Sequence, residues 1–280
     1  MIKDFAFLVY TNENYLPIAD LTMGEFDRWF PKNTFKRYLV SNKFTDYKFQ
    51  NTNFIPLESF TKFDGSGNHF GETLSKALIK IEEKYLFFLC DDYLVINHPD
   101  LESLKDLLKI IIDYDVDFFS FASMNPNQEW KIFNKETNLL PEIDLFYIPN
   151  NYQYKHSVQP CIWKKSSLLE ILKYNPNLPI HYLDTTNIMN KNGMNREFLT
   201  EESIWNDYPD SEDYKFKCIC TNFKAYDELE DYKYFVFPYV EIIRHGFFNF
   251  WQETNTKRFL KKFIKDNNIQ NNQYLNKFIP

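Results

Sequence analysis

Short apolar runs alternate with polar loops and helical periodicities through the first 125 residues of this chain. "FAFLVY" (5–10) predicts a buried strand ending in the polar loop "TNENY". "FKRYLVSN" (35–42) predicts a second strand, which delivers Ser41 and Asn42 at its carboxyl end, and "NFIPLES" (53–59) a short third. In "DGSGNHFGETLSKALIKIEEKY" a flexible loop leads into a helix, because Leu74, Ala77, Leu78 and Ile81 share one face at i, i+3, i+4 and i+7. "YLFFLCDD" then predicts a central, fully buried strand. Leu101, Leu104, Leu108 and Ile111 mark the apolar face of a helix over 100–113, and "VDFFSFAS" reads as another strand.

This alternation predicts an open, mostly parallel, Rossmann-like α/β sheet flanked by helices. Ligands of such sheets sit beyond the carboxyl ends of the strands. Tyr10 to Asn12, Ser41 to Asn42 and Asp91 to Asp92 all fall at such ends, so three polar clusters converge on one edge.

The second half is less regular. "HSVQPCIWKKSSLLEILKY" reads as a strand or loop feeding a helix, and "NPNLPIHYLDTTNIMNKNGMN" as a loop or insertion punctuated by Pro and Gly. "KFKCICTN" and "YFVFPYVEIIRHG" look like late strands. The tail "TKRFLKKFIKDNNIQNNQ" predicts an amphipathic basic helix with Phe259, Leu260, Phe263 and Ile264 on one face. That face suits core packing, or weak peripheral docking on an anionic membrane surface, with packing preferred in so acidic a chain. No repeat or linker divides the sequence. The expectation is one domain over 1–280, with a first half to 125, an irregular half over 126–255 and a carboxyl-terminal helix and tail over 256–280.

A hydrophobic content of 44% supports a sizeable core, and the net charge of −7 argues against a nucleic-acid binder. It leaves room for a nucleotide whose charge a divalent cation offsets. No apolar run is long enough for a membrane span or a signal-peptide core, so no transmembrane segment is expected. The four cysteines follow neither zinc nor disulfide-framework spacing. They are expected to be reduced and buried in a cytoplasmic protein, at most peripheral to a membrane.

Adjacent carboxylates beside a core are costly unless paired. Asp91 and Asp92 could be a plain strand-to-turn ending. At the end of a central strand, beside two other polar strand ends, they also suit hard-oxygen ligation of magnesium or manganese. "GSGNHFG" matches no phosphate-cradle motif and reads as a mobile loop.

"FGETLSKALIKIEEKYLFFLCDDYLV" resembles the helix and acidic strand of GT-A-type, nucleotide-sugar-dependent glycosyltransferases. Within them it is similar to bacterial and viral enzymes of glycan and polysaccharide biosynthesis. "SVQPCIWKKSSLLEIL" (157–172) and "PYVEIIRHGFFN" (238–249) fit the same group in the same order. The resemblance implies that Asp92 and His245 hold manganese or magnesium on the donor diphosphate. Asp91 would touch ribose or donor sugar, and Arg244 would offset phosphate charge. Tyr10, Thr11 and Asn12 would grip base and ribose, with Ser41 and Asn42 on the other side of the base. His69 and His156 lie in loops that could line the site. Cys90 departs from the family's first acid, which leaves fewer carboxylates for the metal.

Inverting transfer needs a carboxylate to accept the acceptor hydroxyl's proton. The resemblance places it in "FLTEESIWNDY" (198–208), with Glu202 ahead of Glu201 and Asp207. Thr200 before the acids also makes a plain helix cap. Gln159 and Trp163 would shape the acceptor pocket, while Lys164 and Lys165 read as solvated helix charges. The implied partners are a nucleoside diphosphate sugar and a glycan or lipid-linked glycan acceptor. The alternatives are a non-catalytic sugar- or nucleotide-binding protein on this scaffold, or a sugar-nucleotide nucleotidyltransferase. The latter lacks its Gly-rich, basic amino-terminal loop here.

Overall fold

In a computed structural model the protein is described over residues 2–31, 34–44, 47–59, 70–121, 131–133, 144–149, 159–174, 188–189, 196–197, 216–221, 239–241, 243–244, 247–248, 254–272 and 275–279. The first strands form where the apolar runs predict them. β1 is Phe5–Tyr10, β2 Lys36–Ser41, β3 Ile55–Glu58 and β4 Tyr85–Cys90. All four run parallel in the spatial order β3-β2-β1-β4. β4 is buried along its whole length, as a strand covered on both faces must be.

The sheet continues through β8 (Cys161–Lys164), β6 (Phe118–Ser120), β11 (Cys218–Thr221) and β7 (Leu145–Tyr147), giving eight strands. β8 and β7 run against their neighbours, so the sheet is mixed but mostly parallel. A short β5 (Tyr93–Val95) leaves the end of β4 and pairs antiparallel with β12 (Tyr239–Glu241). Two further ribbons join β9 (Ile188–Met189) to β10 (Arg196–Glu197), and β13 (Ile243–Arg244) to β14 (Phe247–Phe248).

Helices cover both faces. α1 (Leu16–Trp29) seats Phe26 on Phe7, with ring centroids 3.7 Å apart. α3 (Leu101–Asp113) lies on the same side, where Tyr85 donates its hydroxyl to the Ile111 carbonyl at 3.4 Å. α2 (Phe70–Leu78) covers the opposite face through Phe70 against Phe88, beside α4 (Lys165–Tyr174). The predicted faces of α2 and α3 are the buried ones, though Leu101 is only partly covered.

α1 is absent from the elements predicted above. Its apolar residues Leu16, Ala19, Met23, Phe26 and Phe30 recur at helical spacing and are buried. The pattern is broken by Asp20 and Glu25, which are also buried, and that mixture hides the stripe. The basic tail forms α5 (Thr254–Asp266), followed by two 3₁₀ turns. Leu260, Phe263 and Ile264 are buried against Ile18, Leu94 and Ile96 in a second apolar cluster, so this face packs inward as preferred. The four cysteines are free and buried, also as expected.

The edge opposite the strand ends of β1 and β4 is tied by charge. Lys164 is no solvated helix charge. It sits on β8 and its ammonium lies 2.6 Å from Asp115, which also pairs with Lys84 at 3.1 Å. Asp117 accepts from the Ser167 hydroxyl at 2.6 Å and the Lys217 amide at 2.8 Å. Lys165 likewise bonds the Ile81 carbonyl. Lys164 first, then Lys84, holds the Asp115 carboxyl down at about 2, with partial burial opposing. A depressed folded value stabilises above the unfolded value of about 3.9 and loses that contribution as pH falls toward 2. Acid unfolding followed by circular dichroism should therefore be shallower for Asp115→Asn between about pH 4 and pH 2 than for the parent chain. Identical acid profiles would remove Asp115 from the stabilising network.

Candidate active site

The parallel strands end flush. Tyr10 stands opposite both Val40 and Cys90. The ladder runs one residue further, with the Thr11 amide donating to the Val40 carbonyl at 2.9 Å and the Asp91 amide to the Tyr10 carbonyl at 3.1 Å. From β1 the chain winds outward to β2 and β3, then returns through α2 to β4 on the other side of β1. The winding therefore reverses between β1 and β4, which is where a crevice for a ligand opens in such sheets. Thr11 and Asp91 emerge there side by side.

The Thr11 hydroxyl donates to Asp91 Oδ2, and the Thr22 hydroxyl of α1 donates to the Asp91 carbonyl at 2.9 Å. Burial pushes the Asp91 carboxyl up to about 7, against the lowering effect of Thr11 and a backbone amide. Asp92 follows, half-buried, at the mouth of the same turn. Tyr15, at the N-cap of α1, faces this pair. Burial raises its phenol first, and the negative charges of Asp91 and Asp92 raise it further. Tyr10 turns its ring edge-on to Phe70 at 4.7 Å and shares a hydrogen bond with Thr73, while burial raises its phenol.

The nucleotide-side candidates divide. Asn12 is half-buried and closes a turn by accepting from the Asn14 amide at 3.0 Å. Asn42 is buried and accepts from the Glu13 amide at 2.9 Å, tying the loop after β1 to the end of β2. Ser41 is buried and donates to the Lys43 carbonyl at 3.0 Å. Thr11, Ser41 and Asn42 thus hold the loops in place with side chains that are turned inward and bonded to the protein.

β8 runs against β4 with Cys161 opposite Phe88, so Gln159, two residues earlier, lies at the site edge. Trp163 does not. It pairs with Leu86 in mid-sheet, is fully buried and packs on Phe118 with ring centroids 4.5 Å apart. Its indole belongs to the core, and the expected role in an acceptor pocket does not hold. The pairing of Glu241 with Tyr93 brings the late segment alongside the residue that follows Asp92. Arg244 lies just beyond on β13. His245, Glu201, Glu202, Asp207, His69 and His156 lie outside the described residues.

Adjacent carboxylates surrounded by hydroxyl oxygens form a hard donor set, the kind that magnesium and manganese take. Among the described residues no three His, Cys, Asp or Glu side chains gather as a complete metal cage. Asp92 would need a further protein or substrate donor. The sequence reading missed Tyr15 and Thr22 because it assigned no helix after "TNENY". Pro17 in the first helical turn was the available signal.

The acid pair thus stands at the switch point of an open α/β sheet, the place where such folds bind ligands. No protein-family model matches the chain, and no curated protein matches it. Among solved structures it is similar to S. aureus TarS in complex with UDP-GlcNAc, at 18% identity and a TM-score of 0.36, over 58% of this chain and 46% of that one. The WbbM bifunctional glycosyltransferase gives 10% identity and a TM-score of 0.37, over 66% and 38% of the two chains. The galactosyltransferase LgtC with donor and acceptor sugar analogs gives 10% and 0.32, over 77% and 86%. The chain spans less than half the length of these TarS and WbbM structures.

The raised carboxyl of Asp91 has a measurable sign. A folded value above the unfolded one favours folding at low pH, and that contribution is lost as pH rises from about 4 through 7. Without added metal, the midpoint of urea denaturation should fall across this window in the parent chain and stay nearly flat in Asp91→Asn. Thr11→Val removes a hydrogen bond to the carboxylate and should steepen the fall. A parent midpoint that does not move between pH 4 and 7 would show that Asp91 is solvated.

Proposed function

We propose that the chain is a GT-A-type glycosyltransferase that moves a sugar from a nucleoside diphosphate sugar to a glycan acceptor. The observation that carries this reading is the Thr11–Asp91–Asp92 turn at the reversal between β1 and β4, with β12 paired alongside. The chain up to residue 125 forms the donor half, and 126–255 the acceptor half. Asp92 and His245 would hold manganese or magnesium; the carboxylate oxygen suits either ion and a neutral imidazole suits manganese. Such an ion, when bound, offsets the charge that builds on the departing diphosphate.

The protein's own groups do the rest. Asp91, fixed by Thr11, orients the ribose or donor sugar, and Arg244 offsets phosphate charge. Tyr15 closes the crevice over the acids. Gln159 offers an amide to acceptor hydroxyls from the same edge. Glu202 takes the proton from the attacking hydroxyl in a single displacement with inversion, with Glu201 and Asp207 as neighbouring acids. The acceptor is a glycan, free or lipid-linked, and the reaction takes place in the cytoplasm or at the inner face of a membrane. Among the described residues no helix is long and apolar enough to cross one.

Cys90 favours a second reading. This buried thiol stands where the resembled family carries an acid, which suits a protein that binds a nucleotide sugar without turning it over. Kinetics with manganese and a panel of nucleotide sugars separates the two. Glu202→Gln should leave donor affinity unchanged and lower transfer by about 10²–10⁴. Asp92→Asn should weaken metal-dependent donor binding and turnover together. A large loss confined to Glu201→Gln or Asp207→Asn would move the base. Normal transfer by all three base variants would end the inverting mechanism proposed for this segment, and donor binding without hydrolysis or transfer by the parent would favour the binder.

A further inference from the structure

A cavity of about 310 Å³ opens on the outer side of α1. That is the low end of the range of about 300–1,000 Å³ for small-molecule sites. At roughly 100° per residue, Pro17, Asp20, Leu21, Gly24 and Arg28 share one side of α1, opposite Ala19, Met23 and Phe26 in the core. The far walls are the segment around Tyr47 to Asn51 and the carboxyl-terminal turns with Asn267, Asn272 and Leu275.

The charges lining this cavity are already satisfied. The buried Asp20 carboxylate accepts from the Tyr47 hydroxyl at 3.0 Å, the Gln50 amide at 2.8 Å, and the Asn51 backbone and side-chain amides at 3.0 Å each. Glu25 accepts from the Trp29 indole at 2.8 Å and from Arg28 at 3.4 Å. Asn51 lies so close to the helix that a Cβ on Gly24 would meet its side-chain nitrogen at 2.8 Å, so any larger residue there would displace the Asn51 amide. With the Asp20 carboxylate saturated by hydrogen bonds and Glu25 paired with Arg28, neither acid is left to take a cation, and the net negative charge of two acids against one arginine does not attract a phosphate. At its rim stand the exposed side-chain amide of Gln50 and the exposed guanidinium of Arg28, beside Pro17, Leu21 and Leu275. That combination fits a ring with hydroxyls at its rim and C–H groups on its faces.

We propose that this cavity is a second carbohydrate subsite, which takes a neutral sugar unit and lies apart from the switch-point site. The proposal stands on the cavity's own chemistry and does not require the chain to be a transferase. A sugar held there bridges α1, the segment after β2 and the carboxyl-terminal turns. The last of these also reach the loop after β1, where Lys277 donates to the Asn14 carbonyl at 3.3 Å.

Saturation-transfer NMR on the full chain tests this with millimolar glucose, galactose, N-acetylglucosamine and lactose as probes. At least one probe should receive saturation, and the signal should persist in Asp92→Asn and under excess UDP. Gln50→Ala and Arg28→Ala alter exposed positions, and each should weaken that probe by about tenfold with an unchanged melting temperature. No transfer to any of the four probes would overturn the subsite. So would a signal that UDP or Asp92→Asn abolishes while both cavity variants retain it, since the sugar would then sit at the switch point. Absence of glycosyl transfer, by contrast, would bear on the catalytic reading alone.

Discussion

Thr11 and Asp91 join the ends of β1 and β4 through one hydrogen bond, and the whole site depends on it. A carboxylate at the rim of a buried strand loses hydration, and in this protein that loss dominates its ionisation. It is tolerable because the flush register of the parallel strands delivers a hydroxyl and a backbone amide to the same spot. Shift β1 by one residue against β4 and Thr11 would point to the other face of the sheet, leaving the acid unpartnered. The register of the sheet and the chemistry of the site are therefore one constraint.

The two edges of the sheet resolve their charges in opposite ways. At the edge below β4, Asp115 and Asp117 are met by Lys84, Lys164, Ser167 and the Lys217 amide, which ties β4, β6, β8 and β11 together. Those exposed or half-exposed pairs add modestly to stability. The upper edge keeps two acids with hydroxyls, phenols and amides as neighbours. An edge that is electrostatically closed beside one that is open to a charged ligand is what an α/β fold needs if ligand binding is confined to one end. α5 contributes from outside by burying Leu260, Phe263 and Ile264 against the root of α1 and β5, the elements that flank the acid pair.

Much of this was legible in the residues. β1 and β4 are unbroken apolar runs, because a strand covered on both faces has little freedom but to be apolar, while β2 carries Tyr38 to Val40 behind two basic residues; the three strands end at one edge, as predicted. α1 was not legible. Asp20 is buried and bonded by partners distant in sequence, while Glu25 is buried through Trp29 and Arg28 a turn further along, and two buried acids interrupt the apolar stripe that would have marked the helix. Trp163 illustrates the converse. An aromatic in a Gln-Pro-x-x-Trp stretch suggested a sugar platform, but strand pairing with Leu86 and Phe118 places it in mid-sheet. Thr11, Ser41 and Asn42 lie at the predicted strand ends, but the inward turn of their side chains was not legible, since side-chain direction within a loop depends on bonds that the sequence does not display. Tyr15, which faces both acids, follows from the position of α1 and was lost with it.

A crystal structure of the full chain with a nucleoside diphosphate and manganese tests the central claim most directly. The account predicts an anomalous manganese peak at the β1–β4 edge, within about 2.0–2.6 Å of an Asp92 carboxylate oxygen and of a His245 ring nitrogen. The diphosphate should lie on that ion and the ribose beside Asp91. A nucleotide bound elsewhere, or a manganese ion at this edge with His245 on a remote surface, would contradict it.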